Sequence, residues 1–588
     1  MSQILRVFPV FASLIFGFTC FAQQNKTPPN VILIITDDQG FGDLGFHDNP
    51  HINTPTLDAL AKESVRFTNF YVSPVCAPTR SSLMTGRYSL RTGVRDTYNG
   101  GAMMATTEIT IAELLKSENY VTGIFGKWHL GDNYPMRPSD QGFDESLIHL
   151  SGGMGQVGDL TTFIQGDRSY FDPVLWHNNQ QQKYKGYCSD IFADKAIKFI
   201  EENKDKPFFT YISFNAPHTP LQVPDEYYQK YKNIDPSEGF GKEGKPIYPM
   251  SEANKEDARK VYAMVENIDD NLNRLFQKLE ELGIADNTIV IFMTDNGPQQ
   301  RRYVAGLKGL KGDVSQGGVR APFFIRYPAA FKGNREINTL AAHIDVMPTL
   351  ADLCGFEVPK DRKIDGMSML PLIHGNVDSR PDRSFFSYWT RKFPERYENI
   401  SIQKSGWKLI GKTSFDSEIE DFELYNLNED PYELSNLSAS ETPKALELKS
   451  ELDGIFVELT QEKNLLNQPL IEIGNPAENP VYLNRNDASG ERGIWAQEDM
   501  FGYWNVKIEA GTYDIRFKFV EQVAPKGKMT LEIGTHAMLL KDQSIEEFDL
   551  FELKDVRLEA GISQLLPFYE ITGKRYFPFW VELEKVAD

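Results

Sequence analysis

From Asn30 to about Gly375, short continuous apolar runs alternate with amphipathic stretches. The runs Val31–Ile35, Val121–Phe125, Phe208–Phe214, Ile289–Met293 and Pro322–Tyr327 lack the polar alternation of a half-exposed strand. They read as strands covered on both faces. Between them, Leu57–Glu63, Ile111–Ser117, Ile191–Glu202 and Asp257–Leu282 carry apolar residues at helical spacing. The pattern predicts an α/β fold: a doubly wound, mostly parallel sheet with helices on both faces. Beyond about Val377, Trp407–Ile410 and Phe422–Tyr425 read as short strands of a small antiparallel sheet, and Pro443–Leu459 as a helix. After Asn475 the period becomes two: Trp504, Val506 and Ile508, then Tyr513, Ile515, Phe517 and Phe519, alternate with polar residues across a turn at Ala510-Gly511. Met529–Ile533 and Phe579–Leu583 repeat the pattern, which predicts a β-sandwich. The expected organisation is a leader over 1–22, a main α/β domain over 27–376, a small antiparallel-sheet subdomain over 377–470 completing its cleft, and an accessory β-sandwich over 475–588.

The 588 residues are 41% hydrophobic and 25% charged, ordinary globular composition that excludes a fibre, a disordered chain and a polytopic membrane protein. The formal net charge of −21 argues against a nucleic-acid partner, which needs a basic face. It leaves room for an anionic substrate held by local cations. At the N-terminus, Arg6 precedes the apolar run Val7–Phe18, too short to span a bilayer, and Cys20-Phe21-Ala22 follows. This reads as a secretory signal cut after Ala22, giving an exported, periplasmic or extracellular protein with no membrane segment once the signal is removed. The rival is a lipoprotein signal acylated on Cys20, although Phe18-Thr19 suits it poorly. Cleavage leaves Cys76, Cys188 and Cys354, which cannot all pair. Cys188 and Cys354 read as buried small hydrophobes.

Ligands of an open α/β sheet bind outside the carboxyl ends of its strands. Asp37 and Asp38 follow the first run, Lys127 and His129 the second, Asn215 and His218 the third, and Asp295 and Asn296 the fourth. Any one pair is an ordinary cap or turn, but four in succession are hard to assign to capping. Asp37, Asp38, Asp295 and Asn296 form an all-oxygen set of the kind hard cations prefer, calcium or magnesium. His129 and His218 suit proton transfer better. In Ser73-Pro74-Val75-Cys76-Ala77-Pro78-Thr79-Arg80, Pro78 suits a first helical turn and Gly86 the helix end. Cys76 would then sit at a positive helix N-terminus, where anions bind and thiols are activated, with Arg80 one turn on.

These residues resemble the formylglycine-dependent sulfatases of the alkaline phosphatase superfamily. Cys76-Ala77-Pro78-Thr79-Arg80 is similar to that family's C-x-P-x-R signature. The likeness spans roughly Asn30 to Leu437 and includes Thr36-Asp37-Asp38, Gly126-Lys127-Trp128-His129-Leu130-Gly131, Ala216-Pro217-His218, Thr294-Asp295-Asn296-Gly297 and Lys311-Gly312. The resemblance implies a sulfuric ester hydrolase, with a sulfated glycan as the expected substrate. It implies that a maturing, formylglycine-generating enzyme oxidises Cys76 to an aldehyde whose hydrate attacks sulfur and later expels sulfate. It implies calcium, with magnesium as second choice, held by Asp37, Asp38, Asp295, Asn296 and the modified Cys76. Lys127 and Lys311 would hold sulfate oxygens, Arg80 steady the nucleophile, His129 act as base and His218 as acid.

One departure stands out: Gln316 occupies the position before Gly317-Gly318 where the family usually has Glu. Ser151 or Gln156 is a candidate for a further polar group near the sulfate, and His47, His177 and Arg137 for the cleft lining. Two other readings stay open: a phosphodiester or phosphonate ester hydrolase of the same superfamily, and a glycan-binding protein with an inert hydrolase domain, using Tyr503, Trp504 and Tyr576 for sugar stacking.

Overall fold

The computed structural model describes residues 27–240, 244–376, 382–491, 501–534, 536–541 and 546–587. The leader, its cleavage point and Cys20 lie outside them. Among the described residues no helix is long and apolar enough to cross a membrane.

The central sheet has ten strands: β1 (Asn30–Thr36), β2 (Val65–Phe67), β3 (Val121–Lys127), β4 (Glu145–His149), β5 (Val174–His177), β6 (Gln180–Lys183), β7 (Phe208–Ser213), β8 (Thr288–Thr294), β9 (Phe323–Arg326) and β10 (Arg335–Ile337). Their spatial order is β10-β2-β9-β8-β1-β7-β3-β4-β5-β6. The five central strands, β8 to β4, run parallel, while β9 pairs antiparallel with β8, and β5 with β4. This is the mixed, mostly parallel α/β sheet that the apolar pattern predicts.

β1 is apolar throughout because its two faces feed two cores. Val31, Leu33 and Ile35 pack with α2 (Cys76–Thr85) and α3 (Ile111–Ser117). Ile32 and Ile34 pack with α1 (Pro55–Glu63), α4 (Cys188–Asn203) and α5 (Glu252–Glu281) on the other side. Register sets the height of the strand ends. Thr36 is level with Thr294, Ile35 with both Met293 and Ser213, and Gly126 with Ser213. Four neighbouring strands therefore end together, and the residues after them emerge at one height.

Towards the C-terminus, Phe385–Tyr388, Ile400–Lys404, Trp407–Gly411 and Glu423–Asn426 form an antiparallel meander. The helix Thr442–Thr460 covers it, burying Leu448, Leu452 and Phe456 against Ile402, Leu409 and Leu424. The last segment forms two further sheets that share one core, built from Trp504, Val506, Ile515, Phe517, Leu531, Leu565 and Val581. Met103 and Met136 of the α/β part belong to that same core. Trp504 is fully buried, stacks on Phe577 and donates its indole N–H to the Asn484 carbonyl. It is a core residue, not a sugar platform. Cys76, Cys188 and Cys354 are unpaired; Cys188 is buried and Cys354 partly so.

Candidate active site

Helix α2 begins at Cys76 and ends at Gly86, whose φ of 68° supplies the left-handed C-cap. No side chain caps its N-terminus, so the free N–H groups of the first turn stay available beside Cys76. The helix is fastened to the strand ends. Thr79 Oγ1 donates to the Asp295 carbonyl at 2.7 Å. Arg80 donates through Nε and Nη2 to Asp295 Oδ2, at 3.2 and 2.7 Å, and through Nη1 to the Lys127 carbonyl and Ser213 Oγ. One guanidinium thus ties the ends of β8, β3 and β7, and this fixes Cys76 over the sheet edge. Ser213 carries no motif, so its part in the site is not legible from sequence.

Around Cys76 the carboxylates and lysines are paired. Lys127 Nζ donates to Asp37 Oδ2 at 2.6 Å, with both side chains fully buried. Lys311 Nζ lies 2.7 and 2.9 Å from the two Asp38 oxygens. Asn296 Nδ2 donates to Asp38 Oδ1 at 2.8 Å, and the Asp38 N–H donates to Asp295 Oδ1 at 3.2 Å. Asp38 and His129 each adopt a φ of 62°, a left-handed conformation that non-glycine residues hold only where the surroundings impose it. Gly126 must be glycine, since a Cβ there would stand 1.8 Å from the Ser213 carbonyl oxygen.

The electrostatics follow from burial and charge. Burial and the adjacent Asp37 push Asp295 up to about 6, against Arg80 and Lys127. Burial also opposes ionisation of Asp38, but the charges of Lys311 and His218 and hydrogen bonds from Lys311 and Asn296 outweigh it and hold that carboxyl far below its ordinary range. Burial raises the Cys76 thiol, although Lys127 and Lys311 pull the other way. Burial disfavours the charged form of both histidines. Burial and then Lys127 hold His129 well below its ordinary value, and burial and then Lys311 bring His218 to about 3. His129 Nε2 lies 2.6 Å from the Thr97 carbonyl, which makes it the protonated nitrogen; Nδ1 is buried with no partner and presents its lone pair. His218 Nδ1 lies 2.6 Å from the Thr219 carbonyl, which leaves Nε2 as the lone-pair nitrogen, 3.6 Å from Asp38 Oδ2.

The residues fit a hard divalent cation. Ligand atoms of Asp37, Cys76 and Asp295 lie within 4.8 Å of one another, as do those of Asp37, Asp38 and His218. Asp37 Oδ1 and Asn296 Oδ1 are buried without a hydrogen-bond partner. An orphaned buried carboxylate oxygen is costly unless something positive meets it, and oxygen donors at this spacing suit calcium or magnesium.

Cys76, His129, His218 and Lys311 open onto a cavity of about 290 Å³. Asp37, Asp38, Arg80, Lys127, Asp295 and Asn296 lie buried beneath it. The family model described as Sulfatase matches residues 29–356, and that for the C-terminal part of N-sulphoglucosamine sulphohydrolase matches residues 313–462. The chain belongs to the sulfatase family. Sulfatases hydrolyse sulfuric esters, and the relatives agree. Arylsulfatase of Hemicentrotus pulcherrimus is 31% identical over 414 residues, covering 66% of this chain and 69% of its own length. Human arylsulfatase A is 29% identical over 485 residues, covering 74% and 88%. Among solved structures, Ps i-CgsB in complex with k-i-k-neocarrahexaose superposes with a TM-score of 0.64 at 28% identity, covering 74% of this chain and 94% of its own. A phosphonate monoester hydrolase of Agrobacterium radiobacter shares the fold, with a TM-score of 0.54 at 20% identity.

Within the sulfatase framework, several expected cleft residues sit elsewhere. His47 stacks on Phe41 at 4.0 Å and lines a different cavity. His177 ends β5, the strand next to the sheet edge, against Gln182 and Glu145. Arg137 is tied to Asp140 and to the Ala477 carbonyl. Each has partners of its own, and none lines the cavity onto which Cys76 opens. Gln156 does line the cavity, whereas Ser151 turns its N–H onto Asp132 and does not. Gln316 lines a separate cavity of about 410 Å³ that contains none of the groups above. Its side-chain Oε1 accepts from the Tyr71 hydroxyl at 3.2 Å, and its backbone N–H donates to Glu433 Oε2 at 2.9 Å. The cavity also has walls that sequence reasoning does not find: Thr97, Tyr98, Gln299, Trp389, Arg391 and Asn486. They belong to no motif and come from four separate stretches of chain.

Proposed function

We propose that the chain hydrolyses sulfate esters on a sulfated polysaccharide or oligosaccharide, with Cys76 matured to formylglycine and calcium held by Asp37, Asp38, Asp295 and Asn296. The observation that carries this reading is the convergence, around one buried cysteine at a helix N-terminus, of the oxygen donors, two lysines, one arginine and two imidazoles. Formylglycine supplies a hydrated aldehyde, a nucleophile with a second hydroxyl through which sulfate can later be expelled. Calcium, if held by Asp37, Asp38, Asp295 and Asn296, would supply Lewis-acid polarisation of the sulfate and help ionise the nucleophile.

The chain's own groups do the rest. Asp37, Asp38 and Asp295 face Lys127, Lys311 and Arg80, so the protein charges alone nearly balance. A divalent cation would leave the pocket positive, which matches a sulfate monoester and the charge spreading over its oxygens as the ester bond breaks. Each lysine ammonium has three donors and uses at most two on its aspartate, so each keeps a donor for a sulfate oxygen. Arg80, with four of its five N–H donors engaged, holds the helix that carries the nucleophile. His129, with its bare Nδ1, accepts a proton. His218 must carry a proton on Nε2 to hand to the departing alcohol. A sulfate anion between Lys127 and Lys311 offsets the charges that depress His218 and raises its proton affinity. The apolar run after Arg6 supports export, which brings the enzyme to extracellular glycans.

Co-expression with a formylglycine-generating enzyme, followed by mass spectrometry of the Cys76 peptide, tests the nucleophile. The aldehyde or its hydrate is expected only with the maturing enzyme, together with turnover of para-nitrophenyl sulfate in excess of bis(para-nitrophenyl) phosphate. Full activity from an unmodified thiol, or faster turnover of the diester, would overturn the reading.

A further inference from the structure

The two family models together reach no further than residue 462, and the matched structure is covered almost end to end while about a quarter of this chain lies outside the match. Asn486 lies beyond both models, yet it borders the same cavity as Cys76, His129 and His218. We propose that Asn486, carried by the C-terminal sheets, contacts the leaving-group saccharide and helps determine specificity, so that the final segment of the chain completes the active-site cleft.

The loop holding Asn486 is built rather than loose. Asn484 Oδ1 accepts the N–H groups of Asn486 and Asp487, at 2.8 and 3.2 Å. Arg485 is buried and donates to the carbonyls of Pro578 and Phe577. The loop is also fastened to the α/β part. Asn484 Nδ2 donates to Asp132 Oδ2 at 2.8 Å, the Asp132 N–H donates to Asp487 Oδ2 at 3.1 Å, and the Gly100 N–H donates to the Asn486 carbonyl at 3.3 Å. Asp132 lies three residues after His129, so the segment carrying the catalytic imidazole is one of the anchors. The catalytic side is shaped to receive the loop as well: a Cβ on Gly158 would stand 2.8 Å from the Asn486 Cβ. A rigid side chain at the mouth of a sulfate-ester site is able to select among leaving groups. Asn486 Nδ2 makes one long bond, 3.3 Å, to Asp487 Oδ1. An amide has two donors and an acceptor oxygen, a complement suited to sugar hydroxyls.

The inference rests on the sulfatase reading above, and the test separates the two. Wild-type, Asn486→Ala and Asn486→Ser enzymes, matured alike, are assayed on para-nitrophenyl sulfate and on sulfated oligosaccharides from carrageenan, chondroitin sulfate and heparin. We expect the variants to lose roughly tenfold in kcat/KM on the best oligosaccharide, mainly through KM, as befits one or two lost hydrogen bonds. Turnover of the aryl sulfate and the thermal midpoint should stay at wild-type values, the serine variant guarding against a packing defect in the alanine one. Equal losses on both substrates, unchanged oligosaccharide turnover, or a wild type that hydrolyses the aryl sulfate and no oligosaccharide would overturn the role of Asn486. A matured wild type that hydrolyses no sulfate ester would overturn the sulfatase reading itself.

Discussion

The floor and the rim of the Cys76 cavity are made differently. On the floor, Asp37, Arg80, Lys127 and Asp295 have no exposed surface, and each charged group touches a partner of opposite sign. At the rim, the Arg391 side chain is 48% exposed, stacked on Tyr98 and Trp389 at 4.4 and 4.8 Å and anchored to Asp96 at 3.0 Å. Charges without water act strongly on whatever enters, because nothing screens them. Charges and rings bathed in water act weakly and select by shape. The floor therefore suits the reaction common to all substrates, and the rim suits the choice among them. This division is testable, because the two sets of residues should respond differently to change of substrate.

The sharpest break is Cys76→Ala. It should abolish turnover of aryl sulfate and oligosaccharide alike, by roughly four orders of magnitude or more, as loss of a nucleophile does. The fold should survive, since the side chain is small. A variant that keeps even a tenth of wild-type activity on either substrate would remove the floor from the chemistry. Next comes Arg80→Met. It leaves Asp295 buried without its cation, and breaking such a pair costs about 3–5 kcal/mol. The denaturation midpoint should fall markedly, and activity on both substrates with it. A midpoint unchanged from wild type would mean that Arg80 does not hold the strand ends together.

The same division explains what can be read from sequence. The floor follows consecutive strand ends, so apolar runs mark where its residues stand, and the C-x-P-x-R segment marks the helix. The direction of Phe323–Arg326 is not legible: a strand covered on both faces is apolar whether it runs parallel or, as here, antiparallel to Thr288–Thr294. The edge strand Gln180–Lys183 is wholly polar and exposed, and carries no strand signal at all. Trp504 alternates in phase with Val506 and Ile508 and faces the inner side of its sheet with them, as that alternation predicts. Rim residues are invisible for a stronger reason. Tyr98, Trp389 and Asn486 meet only because three units of the fold pack together, and nothing in their local sequence records that.

A carboxylate under the floor offers a smaller, pH-dependent test. Asp159 is fully buried, and its bonded partners are the hydroxyls of Thr161 and Thr162, with His149 Nδ1 3.8 Å away. Burial pushes it up to about 7. In the unfolded chain it titrates near 3.9. The folded state therefore binds this proton more tightly, so stability is full at low pH and falls as pH rises from about 4 to about 7. Asp159→Asn removes this loss. Unfolding free energies from urea titrations should show the variant ahead of wild type by a few kcal/mol at pH 8, and near parity at pH 4. Equal offsets at both pH values would show that Asp159 ionises as freely in the fold as outside it, and that burial without a cation does not disfavour its charged form.

The smallest expected effect is at the rim, in Arg391→Ala. Its stacking on two half-exposed rings and its ion pair to Asp96 are worth about 1 kcal/mol, so the thermal midpoint should barely move. On a sulfated oligosaccharide the change should show in KM, by roughly three- to tenfold, because a cation at the mouth would attract an anionic chain and the rings it orders would meet sugar faces. That loss should shrink as salt rises, since an exposed charge is screened. On the small aryl sulfate, which ends at the floor, kcat/KM should stay within about twofold of wild type. Lys127→Met gives the contrast: it should depress both substrates together and hardly respond to salt, because its charge is buried. If Arg391→Ala lowers kcat on the aryl sulfate as Lys127→Met does, the rim takes part in the chemical step, and the separation between a floor that reacts and a rim that selects fails.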